Sequence, residues 1–269
     1  MANDPYGKAD RMNEVNKEMV NGLNIVVVND DGWGTAGIRL LAKEMTKLGK
    51  VTVIAPDGPR SGKGASISVT DPIYLRHIEE HDLNGAEVYT TNGTPADCVK
   101  IAREVLFPDT AIDLLVSGIN HGSNASVNAM YSGTIGACFV AAEKGIPAIG
   151  WSINSHEMDV DLHWLQPFLA DVTQHIYEEG IAPRTVFNIN APVGEIEGIR
   201  WTRECLGHWA HELVRSTEPK PEGVISSFKL AGEFVNDEPA STDTDIWAME
   251  HQLLAITPLT IDWTAYGSL

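Results

Sequence analysis

The sequence predicts an α/β fold, with a mostly parallel sheet flanked by helices and a smaller β-rich element at the C-terminal end. Three observations carry this. The run Asn24-Ile-Val-Val-Val is continuously apolar and β-branched, as in a strand buried on both faces. Strand-like and helix-like segments then alternate as far as about residue 191. Past residue 192 the alternation gives way to short β-like runs separated by acidic, proline-containing connections.

Residues 1–22 are polar. Met12, Val15 and Met19 fall on one helical face, yet a loose tail is the plainer reading. After the first strand and a glycine-rich turn, Ile38, Leu41, Met45 and Leu48 recur at helical spacing, with Gly49 placed to end the helix. Val51–Ala55 is a second strand, so the opening is a βαβ unit with parallel strands and a right-handed crossover. Residues 57–70 form a Gly/Ser-rich loop, and Ile73–Ile78 and Ala86–Thr91 read as strands of an excursion. Thr94 is an N-cap, Pro95 sits at N1 and Asp97 falls in the first turn of a helix. The strand at Leu114–Ser117 leads into a polar segment, Gly118–Ser132. A helix of small residues from about Gly133 to Lys144, a strand at Pro147–Ile153, a helix within His163–Glu179 and a strand at Thr185–Ile189 complete the alternation. Ile199–Cys205, Val224–Leu230 and Leu253–Leu259 are the later β-like runs. The chain thus divides into an extension (1–22), a catalytic α/β domain (23–191) and a C-terminal element completing the subunit (192–269).

Composition excludes several functions. The 269 residues include 19 Lys+Arg against 37 Asp+Glu, a formal charge of −18, which argues against a nucleic-acid partner. It also opposes an anionic substrate unless a local cation reverses the sign. No stretch approaches a membrane span, and the N-terminus lacks the apolar core of a secretory signal. Cys98, Cys138 and Cys205 are odd in number and form no CxxC pair, which suits buried thiols in the cytoplasm. Nine histidines are scattered, and the His208/His211 pair matches no metal-binding spacing.

Ligands of open parallel sheets bind at the carboxyl ends of strands. Those ends here carry Asn29-Asp30-Asp31-Gly32, Pro56-Asp57 with Arg60-Ser61-Gly62, and Ser117-Gly118-Ile119-Asn120 followed by Gly122 and Asn124. Adjacent carboxylates repel unless a cation lies between them. Neutral oxygens nearby, from Ser61 and Asn120, favour Mg²⁺, Mn²⁺ or Ca²⁺ over zinc. Asp30-Asp31-Gly32 alone could equally be a turn. Tyr131-Ser132-Gly133-Thr134 heads the small-residue helix, which makes it a phosphate seat or an ordinary cap. Gly32-Trp33-Gly34-Thr35-Ala36-Gly37 also matches GxGxxG, the mark of a dinucleotide-binding oxidoreductase, although Asp30 and Asp31 would face the pyrophosphate and Trp33 crowds the turn. A non-catalytic nucleotide-binding scaffold is a third reading.

Six segments occur in order: Val28-Asn-Asp-Asp-Gly, Ala55-Pro-Asp, Arg60-Ser-Gly, Gly93-Thr-Pro-Ala-Asp-Cys, Ser117-Gly-Ile-Asn-His-Gly-Ser-Asn and Tyr131-Ser-Gly-Thr. Together they resemble the SurE (survival protein E) family of metal-dependent 5′/3′-nucleotidases. The resemblance implies a Rossmann-like domain with a C-terminal β element exchanged within a homodimer or homotetramer. It further implies hydrolysis of nucleoside monophosphates, with short polyphosphate as another substrate, and one divalent metal ion per subunit. By that resemblance Asp30, Asp31, Ser61 and Asn120 would be the metal ligands, with Asp30 and Asp31 catalytic. Asn124, Ser132, Gly133 and Thr134 would hold the phosphate. Asn29 at the strand end, Asp245 of the Thr244-Asp245 pair, and Trp33 as a wall for the leaving group would be accessory. Ala36 and Val140 stand where many members carry Pro and Glu, which leaves base preference open.

Overall fold

The structure, a computed structural model, describes residues 22–80, 82–218 and 220–265. The helical spacing of Met12, Val15 and Met19 lies outside the described residues. Nine strands form one sheet: β1 (Leu23–Val28), β2 (Gly49–Pro56), β3 (Leu75–Ile78), β4 (Glu87–Thr91), β5 (Leu114–His121), β6 (Ala148–Ile153), β7 (Thr185–Ala191), β8 (Gly198–Trp201) and β13 (Leu253–Thr260). Their order is β3-β4-β2-β1-β5-β6-β7-β13-β8. From β4 to β7 every pair is parallel, while β3 and β13 run antiparallel to β4 and β7. The chain winds outward from β1 in one direction and from β5 in the other. The crevice between the β1 and β5 tips is therefore the switch point of a doubly wound sheet, the expected ligand position in this class.

Helices cover both faces because the central strands are apolar on both. Ile25 and Val27 face one layer with Ile38, Leu41 and Met45 of α1 (Ala36–Met45) and Leu169, Val172 and Ile176 of α5 (Gln166–Glu179). Val26, Val28 and Leu115 face the other with Cys98 and Val99 of α2 (Pro95–Ile101) and Ala137, Cys138 and Ala141 of α4 (Gly133–Glu143). The cap expected at Thr94 is present and reciprocal: Thr94 accepts the Asp97 N–H, and Asp97 accepts that of Thr94. Gly49 has a different role from the helix stop expected of it. Helix α1 is capped by Thr46, and Gly49 opens β2, where a side chain would strike the Leu23 backbone.

Residues 192–269 divide between two roles. Strands β8 and β13 extend the main sheet beyond β7. In between, β9 (Gly207–Ala210) pairs with β12 (Glu233–Asn236), and β10 (Leu213–Arg215) with β11 (Phe228–Leu230), so that the chain runs out and back as a two-stranded arm. Leu213, Val214, Ile225, Phe228 and Leu230 of this arm are exposed. At its root Arg203 makes a two-pronged ion pair with Glu238, at 2.6 Å on each prong, and a second pair with Asp243 at 2.9 Å. No helix among the described residues is long and apolar enough to cross a membrane.

The small residues of α4 allow it to approach other backbone. A Cβ on Gly136 would collide with the carbonyl group of Gly64 in the loop after β2. Gly136→Ala should therefore push that loop away from α4 and cost ~1–3 kcal/mol, read as a lower midpoint in thermal or urea unfolding.

Candidate active site

The first site loop is built by its own side chains. Asn29 is fully buried; its carboxamide oxygen accepts the Gly32 N–H at 3.1 Å, and its NH₂ donates to the Gly32 carbonyl at 3.0 Å and Thr35 Oγ1 at 3.2 Å. Gly32 takes a φ of 106°, which a side chain would oppose. Asn29 thus shapes the turn that presents Asp30 and Asp31, and both of its functional ends are spent in doing so.

Asp30 points across the crevice to the start of α4. Thr134 Oγ1 donates to Asp30 Oδ1 at 2.6 Å, and a Cβ on Gly133 would lie 2.9 Å from Asp30 Oδ2. Burial pushes the Asp30 carboxyl up to about 6; the Asp31 charge adds to the rise, and the Thr134 hydroxyl and Gly133 N–H oppose it. Ser132 is the N-cap, its Oγ accepting the Ile135 N–H at 3.1 Å. The expected phosphate seat and the expected metal ligands are therefore in direct contact. The Ser132 and Thr134 hydroxyls serve the cap and Asp30, which leaves backbone N–H groups of the first turn as the donors for an anion.

Asn120 reaches the site from β5. Its pairing with β6 shifts register between Ser117 and Asn120, a bulge that places Asn120 within the strand rather than beyond its end. Asn120 Nδ2 donates to the Gly122 carbonyl at 2.6 Å, so its carbonyl end is the one available to a cation. The next residue, His121, places Nδ1 3.1 Å from Asp31 Oδ2. Ser61 is exposed on the remaining loop, which is tied to the site by the Arg60 N–H bonded to the Asp30 carbonyl at 2.7 Å.

Asn124 is buried in a polar network whose other members the sequence reading missed. Its Nδ2 donates to Ser152 Oγ at 2.8 Å, its backbone N–H to Asn190 Oδ1 at 2.8 Å, and its carbonyl accepts from Asn188 Nδ2 at 2.9 Å. Asn190 in turn donates to Asn188 Oδ1. The signal was present: Asn188 and Asn190 are two residues apart in a buried strand, hence on one face, where carboxamides need partners. Asp245 does not enter the site through its carboxylate. It is fully buried and accepts the N–H groups of Ser126, Cys205 and Ile246 at 2.8–2.9 Å, which ties the loop after Asn124 to the root of the arm. Trp33 is half-buried and packs against the core beneath α1. Nothing in the geometry favours dinucleotide binding by Gly32–Gly37, because that turn presents two carboxylates where a pyrophosphate would have to approach.

Among the described residues no group of three or more His, Cys, Asp or Glu is arranged to hold a metal. The donors that converge are two carboxylates, a carboxamide oxygen and the nearby Ser61 loop, a hard-oxygen set suited to a cation such as Mg²⁺ or Mn²⁺.

A family model described as Survival protein SurE matches residues 25–211. The 5′-nucleotidase SurE of Phocaeicola vulgatus is 39% identical over 247 residues, covering 91% of this chain and 93% of its own. The 5′-nucleotidase SurE of Bacteroides thetaiotaomicron is 39% identical over 244 residues, covering 90% and 92%. Among solved structures, the SurE protein from Aquifex aeolicus is similar with a TM-score of 0.77 at 32% identity, over 91% of this chain and 96% of that one.

The raised Asp30 carboxyl has a measurable consequence in protein stripped of divalent ions. The folded state holds the proton up to about 6 and the unfolded chain only to 3.8, so stability falls as pH rises through that window. Asp30→Asn should accordingly stabilise the chelated protein at about pH 8 by roughly 3 kcal/mol, the advantage fading toward about pH 4, as thermal melts across that range would register.

Proposed function

Because the chain belongs to the SurE family, we propose that it is a metal-dependent phosphomonoesterase that hydrolyses nucleoside 5′-monophosphates to nucleoside and phosphate. Nucleoside 3′-monophosphates and short polyphosphate are the further substrates of this reading. The observation that carries it is the contact between Asp30 and the first turn of α4, since it joins a cation-binding carboxylate to an anion-binding helix start.

Asp30, Asp31, Ser61 and Asn120 would hold one Mg²⁺ or Mn²⁺. When bound, the cation supplies charge neutralisation and Lewis-acid polarisation of the phosphoryl oxygens. The chain's own residues do the rest. The Thr134 backbone N–H, with the positive end of the α4 dipole, orients the non-bridging oxygens and stabilises the charge that builds on them. Asn124 has one carboxamide N–H bonded to Ser152 and a second to offer the phosphate. With the phosphoryl group so fixed, attack and departure lie in line, and water is the nucleophile of this reading. The rival is Asp30 or Asp31 as nucleophile through an aspartyl-phosphate, which acid quenching with labelled substrate would trap.

The exposed apolar residues of the arm support a homodimer or homotetramer in which the arm packs against another subunit. Three buried free thiols support a cytoplasmic setting.

Phosphate release from a panel of nucleotides, measured with chelator and then with each divalent ion, should show strict dependence on the ion. Asp31→Asn should lower kcat/KM by about two orders of magnitude or more while leaving circular dichroism unchanged. Near-normal turnover of that variant in saturating Mg²⁺ and Mn²⁺ would refute the assignment.

A further inference from the structure

His121 has no role in the reaction as set out above, yet its side chain lies directly against one of the proposed ligands. Its imidazole is 1% exposed and lies against Asp31, whose carboxylate is 9% exposed. Nδ1 stands 3.1 Å from Asp31 Oδ2, and the His121 backbone N–H approaches the same oxygen at 3.4 Å. Nε2, on the far side of the ring, is buried without a hydrogen-bond partner. The ring is also wedged in place: a Cβ on Gly37, in the first turn of α1, would lie 3.3 Å from His121 Cε1.

These contacts fix the direction of the hydrogen bond. An ionised carboxylate only accepts, so the proton between the two groups must belong to Nδ1. An unpartnered buried lone pair at Nε2 is tolerated more readily than an unpartnered N–H, so a ring with a single proton would carry it on Nδ1 as well. Asp31 Oδ2 is thereby occupied, and the carboxylate can offer only Oδ1 to a cation. Asp30 is treated in the same way from the opposite wall, with Oδ1 tied to Thr134. Each of the two repelling carboxylates is anchored at one oxygen by a side-chain donor.

We propose that His121 is a positioning residue that holds Asp31 in the orientation required for cation binding, acting as a fixed hydrogen-bond donor rather than as a ligand. The inference rests on the divalent-cation reading of the site. Partners that orient metal ligands in this way typically contribute 10–100-fold to metal affinity.

The test is calorimetric titration of Mn²⁺ into the full-length, metal-free protein, compared across three substitutions. His121→Asn keeps a donor near the place of Nδ1. His121→Gln retains polarity and bulk but moves its donor toward the place of Nε2. His121→Leu has no donor. Binding about tenfold or more weaker in the Gln and Leu variants, with His121→Asn within about threefold of wild type, is the expected pattern. Circular dichroism without metal establishes that the variants are folded, and should the Leu variant fail to fold, the Asn–Gln comparison decides alone. If Gln binds Mn²⁺ as tightly as wild type, or Asn as weakly as Gln, His121 does not act through its donor and the inference is overturned. Wild-type protein that takes up no Mn²⁺ overturns the cation reading itself, a different failure from unchanged affinity in the variants.

Discussion

The structure around the crevice depends on one interaction, the bond of the buried Asp30 carboxylate to the first turn of α4. Two negative charges at adjacent positions of a strand tip are unfavourable in a low-dielectric setting, and burial makes them more so. The fold meets this by placing a helix start, with its hydroxyl, its N–H groups and its dipole, directly opposite. That requirement explains Gly133, where a side chain would displace Asp30. Gly136, one turn later, lets the whole helix close on the loop that carries Ser61. The small-residue composition of α4 follows from how near this helix must come to a neighbouring carboxylate and a neighbouring loop.

Much of this was legible in the sequence. A buried β-branched run ending in Asn-Asp-Asp-Gly can only deliver its polar residues at the strand tip, and Thr94-Pro95-Ala96-Asp97 specifies its own cap from local chemistry. Asp30, Asp31 and the Ser132–Thr134 turn could be named as candidates for this reason, since each flanks an element boundary. His121 and Ser152 were not, because their importance arises from alignment between strands. The bulge between Ser117 and Asn120 decides where His121 points, and a single sequence carries no direct sign of a register shift. Asp245 illustrates the opposite error. The family resemblance implied a reach into the site, whereas its carboxylate accepts three backbone N–H groups and serves as a fastener.

The overall charge of −18 takes on a different meaning once charge is placed in space. Arg203 is engaged by Glu238 and Asp243 at the root of the arm, and Arg60 by Asp57 beside the site. These side-chain cations are committed to holding loops. On the proposed reading, local attraction for an anion at the crevice comes from the α4 start and from a bound cation, both short-ranged. A site of the proposed kind would recognise phosphate at contact rather than by drawing it in from a distance, and its affinity would depend on a bound ion.

The fastening at Asp245 has a consequence in time. Ser126 precedes Asp245 by 119 positions, so the loop after Asn124 gains its tie to the root of the arm only when the later residue arrives. During synthesis the first eight elements, with every proposed metal ligand among or between them, emerge well before that fastener does. A nascent chain can therefore pair β1 to β7 and bond Asn124 to Ser152, Asn188 and Asn190 while the loop after it still lacks its tie to the arm. That last tie closes only with the return of the arm, just ahead of β13, which pairs with β7.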